Sequence, residues 1–547
     1  MSDKVQPIFI LPEGTSRTSG KNAQRMNIMA AKAVAETVRS TLGPKGMDKM
    51  LVDSLGDVVV TNDGATILKE IEIEHPAGKM VVEVSKTQEE EAGDGTTTAV
   101  VIAGELLKRA EDLMEQNVHQ SIITKGFTIA AEEAQKILNE LGQKITTEDT
   151  ENLEKIVITA MTGKNVESSK EKLAKLLVKA VQQIVDRNNN RILINTDNIK
   201  IEKKTGGSME ETELIDGIVV DKERAHPNMP DIVKKANVLL LESALEVKET
   251  ESDTKINISS PEQLRAFMDE EEKTLRDMVK KIKELKATVV FCQKGIDDVV
   301  QHLLAKEGIL AVRRVKRSDI EKLSRATGGQ IVTKLEDAVK EDIGYAGLVE
   351  ELKVGDEQMT FVRECKNPKA VTLLLRGGTE HVIDELERSI DDALGDLRAV
   401  IEDQKVVAGG GAPEIEVSRL IRKYSETISG REQLAIKAFA DALEIIPRTL
   451  AENAGMDPID ILIKLKAKHE EGMRWAGVNV FDNKVSDMWE LGVIEPLRVK
   501  KQAMKSSAEV ATTILRIDDV IAAGKLKNKD AGMPRGMGGM PDMEGMM

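Results

Sequence analysis

At 547 residues the chain is too long for one hydrophobic core and predicts two or three domains. Its 41% hydrophobic and 31% charged residues suit a soluble globular protein, and a formal net charge of -16 argues against a general nucleic-acid binder. Aromatics are 2%, so the cores must be built from Ile, Leu, Val, Ala and Met, while 94 acidic and 78 basic residues lean towards ion-pair networks. Cys292 and Cys365 lack neighbours at metal-ligand spacing, the histidines show none either, and no stretch approaches a membrane span. A cytoplasmic protein with no zinc site and no membrane association is expected.

Residues 1 to about 20 are a polar lead containing Ile8-Phe-Ile-Leu11, an arm for another subunit or for packing on its own domain. Helical spacing from Asn22 to Val38 stops at Leu42-Gly-Pro-Lys-Gly-Met-Asp48, a constrained loop. Asp57-Val-Val-Val-Thr61 reads as a strand, and Asn62-Asp-Gly64 as a hairpin turn presenting Asp63 at its tip. Helical patterns follow at Met80–Lys86, Thr97–Gln116 and Gln120–Leu141. Between the first two lies Glu89-Glu-Glu-Ala-Gly-Asp-Gly-Thr-Thr-Thr98. Gly93 and Gly95 permit a tight turn around Asp94, and the threonines open a helix whose first amides lack partners. That is either an anion site with a metal-binding carboxylate beside it or an ordinary turn capping a helix.

Helices resume at Leu153, and Thr159-Ala-Met-Thr-Gly-Lys164 places a lysine that reaches a phosphate or simply ends a helix in solvent. From about 215 to 365 strand-like runs (238–242, 288–292, 309–312, 330–332) alternate with helical patterns at 297–306 and 318–326, predicting a separate α/β domain with parallel pairing. A polar stretch after Ser243 precedes Ser260-Pro-Glu-Gln263, a capping box opening a helix with four consecutive acids, which is expected to project from the domain. Ala370-Val-Thr-Leu-Leu-Leu-Arg-Gly-Gly378 is a buried strand before a long helix from Thr379. Val406-Val-Ala-Gly-Gly-Gly411 allows close approach to a ligand. Helical patterns return at Glu414–Lys423, Gly430–Ala451 and Leu497–Leu515, with a strand-turn signal at Gly477-Val-Asn-Val480, and the Gly/Met/Pro-rich tail has little to bury.

The ordered set Leu42-Gly-Pro-Lys-Gly46, Thr61-Asn-Asp-Gly64, Gly93-Asp-Gly-Thr-Thr-Thr98 and Val407-Ala-Gly-Gly-Gly411 resembles the chaperonins over residues 8 to 522. The 383–394 helix, the insertion after Ser243 and the short tail resemble the archaeal group II type, the thermosome. The resemblance implies a multidomain α/β and α fold. A mainly helical equatorial ATP-binding domain comprises 1–144 and 404–526, and a small intermediate domain comprises 145–215 and 367–403. An α/β apical substrate-binding domain comprises 216–366, with a helical lid protrusion at about 244–270, and 527–547 form the tail. It implies an ATP hydrolase that encloses non-native client proteins in two stacked eight-membered rings of one subunit type, with no separate lid co-chaperonin and no nucleic acid.

Carried over residue by residue, the resemblance has Leu42, Gly43 and Pro44 line the nucleotide and Asp94 coordinate Mg2+, with Gly95, Thr96, Thr97 and Thr98 cradling the phosphates. Asp63 and Asp392 orient or deprotonate the attacking water, Lys164 senses the γ-phosphate, Gly410 approaches the ribose, and Glu495 lies near ribose or base. Many relatives have histidine where this chain has Asp391. That neighbour is expected to be a solvated acid, with like-charge repulsion between the adjacent carboxylates able to raise the pKa of one of them. Candidate client contacts are Leu264, Phe267 and Met268 on the protrusion helix and Leu303 and Leu304 on the next one, each weighed against a place in the core. A metabolic kinase and a nonhydrolysing scaffold are the rival readings.

Overall fold

The computed structural model describes residues 16–52, 56–164, 166–188, 191–247, 260–366 and 368–522. The Ile8–Leu11 arm, the polar segment 248–259 of the insertion and the tail 527–547 lie outside them.

The apolar run from Ala99 to Leu107 carries no polar stripe, so its helix must be covered on every side. In the structure Thr96–Glu115 is that helix, with every residue from Thr98 to Leu107 buried. Around it pack Lys21–Arg39, Gln120–Leu141, Glu432–Leu443 and Leu497–Leu515 in one hydrophobic core drawn from both ends of the chain. Phe127 and Phe439 meet edge to face at 6.0 Å between ring centres. Strand Ser16–Ser19 pairs antiparallel with Asp519–Ala522, and Arg17 and Asp519 form a forked ion pair across it.

A second core joins helices Thr150–Met161, Lys170–Ile184 and Glu380–Asp403 to a three-stranded sheet. There Val371–Gly377 runs parallel to Ile199–Thr205 and antiparallel to Glu213–Ile215. The third body is a mixed sheet. Ile232–Leu241, Val289–Cys292 and Leu310–Val312 are parallel, as is the short Ile331–Val332. Gly344–Val354, Glu357–Arg363 and Ile218–Val220 extend the sheet antiparallel. Side chains of Ile232–Leu241 alternate between two cores, Leu239 and Leu241 in one and Val238 and Leu240 in the other, as a strand covered on both faces requires.

The four strands expected to pair in parallel do so, and the sheet continues beyond them antiparallel, where Val354-Gly-Asp-Glu357 makes a two-residue hairpin with Gly355 at φ +66°. Other expectations are corrected. Asn62-Asp-Gly64 is not a hairpin turn. The hairpin lies earlier, between Lys49–Val52 and Val58–Thr61, and Asp63 caps helix Gly64–Glu70, because its carboxylate accepts from the amides of Ala65 and Thr66. The pattern over 430–451 is two helices, Glu432–Leu443 and Ile445–Asn453. The insertion helix Pro261–Glu284 starts where expected, the Ser260 side chain accepting from the amide of Gln263. Its Leu275, Val279 and Ile282 are buried, whereas Leu264, Phe267 and Met268 are exposed. Leu304 is fully buried and Leu303 packs against the same core, so the apolar stripe of Asp298–Lys306 faces inward. Trp475 and Trp489 stack at 5.9 Å within the packed interior. Among the described residues no helix is long and apolar enough to cross a membrane.

Candidate active site

A cavity of about 540 Å3 opens between the first core and the second. Every site residue expected from the sequence lines it: Leu42, Gly43, Pro44, Asp63, Asp94, Gly95 to Thr98, Lys164, Asp392, Gly410 and Glu495.

Its floor is the turn at Gly93 to Thr98. Gly93 ends helix Pro76–Ala92 at φ +83° and Gly95 precedes the next helix at φ +79°, conformations in which a side chain is strained. No side chain caps the Thr96–Glu115 helix, so the amides of its first turn have no partner inside the helix and suit an anion. The turn is fixed from behind, since Gln88 Nε2 donates to the carbonyls of Asp94 at 2.7 Å and Val499 at 3.2 Å. Asp63 stands beside the floor. Its two oxygens accept from the amides of Ala65 and Thr66 and from Thr66 Oγ1, at 2.7 to 3.2 Å, so the carboxylate is held rigidly.

The walls close through glycines. A methyl group on Gly43 would lie 2.2 Å from Leu450 Cδ2, and one on Gly163 would lie 2.4 Å from Pro44 Cα. One on Gly410 would lie 2.7 Å from Met488 Cε. Asn453 Nδ2 donates to the Leu42 carbonyl at 2.9 Å, and Asn62 Nδ2 to the Gly163 carbonyl at 3.3 Å.

From the second core, Lys164 and Asp392 form an ion pair that lines the cavity. Burial works against the Lys164 ammonium, but Asp392, Asp94 and Asp63 outweigh it and its pKa is raised. Asp392 is also raised, by burial first and then by Asp94 and Asp63, with Lys164 opposing. Burial thus acts in opposite senses on the two partners, while Asp94 and Asp63 raise both. Asp391, next in sequence, is exposed on another side of the helix, as the 100° step per residue requires. It lies in a second cleft with Glu89 and Arg398, where loss of water and then the charges of Glu387 and Glu89 push it up to about 6. The repulsion it feels comes from those acids and not from Asp392.

Two residues of the cavity were missed in the sequence. Asp396, one turn beyond Asp392, is 2% exposed, and its Oδ1 has no hydrogen-bond partner among the described residues. Burial, then Asp94, Glu495 and Asp392, raise its pKa well above the carboxylate range. The i, i+4 spacing from Asp392 was the available signal. Lys500 is 4% exposed and stands 2.6 Å from Glu495 and 3.1 Å from Glu414. Glu495, five residues earlier, is a local partner, but Glu414 comes from a distant segment and only the fold brings it there.

The lining therefore holds Asp63, Asp94, Asp392, Asp396, Asp482 and Glu495 against Lys164, Lys170 and Lys500. Unpaired helix-start amides attract a polyanion, while the surplus of carboxylates asks for a cation with it. No group of three His, Cys, Asp or Glu among the described residues forms a metal cage. Such a lining fits Mg2+, which keeps waters and takes its other ligands from phosphate oxygens.

A family model described as the TCP-1/cpn60 chaperonin family matches residues 34–525. The thermosome subunit beta of Archaeoglobus fulgidus is 62% identical over 538 residues, 98% of each chain. The thermosome subunit of Methanopyrus kandleri is 62% identical over 95% of each chain, and that of Pyrococcus abyssi 60% identical over 98% of each. A solved structure, the open-state monomer of a group II chaperonin from Methanococcoides burtonii, is 49% identical with a TM-score of 0.59, covering 78% of this chain and 100% of that one.

Proposed function

The chain belongs to the TCP-1/cpn60 chaperonin family and is an ATP-driven group II chaperonin, a client-binding subunit of an oligomeric ring, and from that premise we propose how its own residues do the work. The core drawn from both ends of the chain is the equatorial domain, 1–144 and 404–526. The second core is the intermediate domain, 145–215 and 367–403, and the mixed sheet is the apical domain, 216–366, with the lid protrusion at about 244–270. The subunit works in the cytoplasm in two stacked rings of eight copies, without a separate lid protein.

ATP enters the cavity with its phosphates on the amides of Gly95 to Thr98 and its sugar against Gly410 and Glu495, between the loop of Leu42, Gly43 and Pro44 and the Lys500 ion pairs. Asp94 would hold Mg2+, which would supply the positive charge that lets phosphate sit among the surplus carboxylates. Asp63 is spent on capping its helix, so it acts as a fixed acceptor that orients water. Asp392, with its raised pKa, takes the proton of the attacking water. A γ-phosphate competes with Asp392 for the ammonium of Lys164, and when Lys164 changes partner the Asp392 carboxylate is freed for the water.

The observation that carries this reading is the Lys164–Asp392 ion pair, presented by the second core to a cavity whose floor belongs to the first. Both catalytic halves are complete only when the two bodies close, so hydrolysis is coupled to domain movement and, through it, to the lid. The test is Asp392→Ala in the assembled protein. It is expected to bind Mg-ATP while hydrolysis falls about 1,000-fold and hydrolysis-dependent lid closure is lost. Unchanged turnover and closure would overturn the assignment.

A further inference from the structure

Gly395 sits inside the regular helix Glu380–Asp403, with no positive φ to require glycine. Alanine would form that helix better. The explanation is contact. A methyl group on Gly395 would lie 2.6 Å from Gly93 Cα, and one on Gly93 would lie 2.4 Å from Gly395 Cα. Backbone rests on backbone where even alanine does not fit. Gly93 directly precedes Asp94, and Gly395 lies three residues after Asp392, so this contact joins the two halves of the phosphate site.

The same helix is tied down beyond the contact. Arg398 Nη2 donates to the Glu90 carbonyl at 3.0 Å, and Arg498 pairs with Glu402 at 2.8 Å and Asp403 at 2.6 Å. Its other end belongs to the second core, where Lys203 holds Asp384 at 2.9 Å and Glu387 at 2.8 Å. The second core packs on the helix on both sides of the contact, from Ile383 to Ile401, so helix and core bear on Gly93 as one rigid arm.

We propose that Gly395 is a positioning residue, the fulcrum at which the Asp392 helix rocks on Gly93 and which sets the reach of Asp392 towards the phosphate turn. At 1.5 Å per residue Asp392 lies about 4.5 Å from the fulcrum and Glu380 about 22 Å, a leverage of roughly fivefold. A displacement of Asp392 by a fraction of an ångström on phosphate binding thus becomes a shift of several times that size where the helix meets the sheet. This rests on the catalytic reading of Asp392. The second contact between the bodies, Gly163 on Pro44, differs in that φ +86° already demands glycine there.

The test is Gly395→Ala in the assembled protein, beside Asp392→Ala. Expected for Gly395→Ala is a Tm lowered by a few degrees, because pushing the two backbones apart costs more than the gain in helix propensity, with KM for ATP within about threefold and kcat reduced at least tenfold. Arg398→Ala, which removes a tie beside the fulcrum without touching the core, is expected to lower kcat about threefold at unchanged KM and Tm. Wild-type kcat in a folded Gly395→Ala overturns the fulcrum. Should Gly395→Ala fail to assemble, wild-type kcat in Arg398→Ala overturns it instead. If Asp392→Ala itself turns over at the wild-type rate, the catalytic reading falls first, whereas an inactive Asp392→Ala beside a fully active Gly395→Ala removes the fulcrum alone.

Discussion

At the phosphate cavity Asp396, Glu414 and Lys500 are buried charged side chains, whereas on the helix Pro261–Glu284 Leu264, Phe267 and Met268 stand 46%, 42% and 59% exposed. One region keeps charge inside and the other keeps apolar surface outside. Each departs from the ordinary distribution, and each departure matches a ligand of opposite character. In the function proposed above, the buried charges meet a nucleotide with its cation, and the exposed side chains meet an unfolded client. The interiors between them follow the usual rules, so energy stored at one region has a stiff frame through which to reach the other.

The contrast can be broken from either side. Leu304, fully buried one helix away from Phe267, gives the largest effect: Leu304→Ala is expected to cost about 3 kcal/mol, read as a lower melting transition, with client capture by the exposed helix intact at low temperature. Lys164→Met comes next. It leaves Asp392 buried without its counter-charge, and kcat is expected to fall about 100-fold, measured by phosphate release.

The acid limb of hydrolysis sharpens the charged side of the comparison. Asp392 acts ionised and its pKa is raised, so the rate falls as pH drops through a value above the ordinary carboxylate range. Lys164 opposes that rise. In Lys164→Met the limb therefore moves to higher pH, and a pH–rate profile of the slow variant checks the sign. The smallest effect on stability is expected at the exposed side: Phe267→Ser within about 0.5 kcal/mol of wild type, with ATP turnover unchanged and capture of a denatured client reduced.

The sequence was most readable where one segment decides its own fate. The periodic helices Gln120–Leu141 and Leu497–Leu515 have the limits their patterns imply, because apolar spacing runs the length of each. Asp63 was placed at a functional position through the wrong element, since Asn-Asp-Gly serves a hairpin or a helix start equally and only the capping bonds decide. The antiparallel half of the mixed sheet was not legible because strand direction depends on the partner, although Gly355-Asp356 carried a turn signal. Lys500 and the Gly93–Gly395 contact are products of tertiary placement. Gly395 departs from helix propensity for a reason that lies 302 residues earlier in the chain, at Gly93.

The pairing of Ser16–Ser19 with Asp519–Ala522 has a consequence for synthesis. The mixed sheet uses one unbroken stretch of chain and can fold while translation continues. The ATPase body needs its last strand. At typical elongation rates, the interval between residue 366 and residue 522 is roughly 10–30 s. During that time each nascent subunit displays the exposed Leu264, Phe267 and Met268 while the core drawn from both ends of the chain is still unfinished. A truncated product ending before residue 497 is an adhesive surface without a motor, and the cell must clear it as it clears any other unfinished protein.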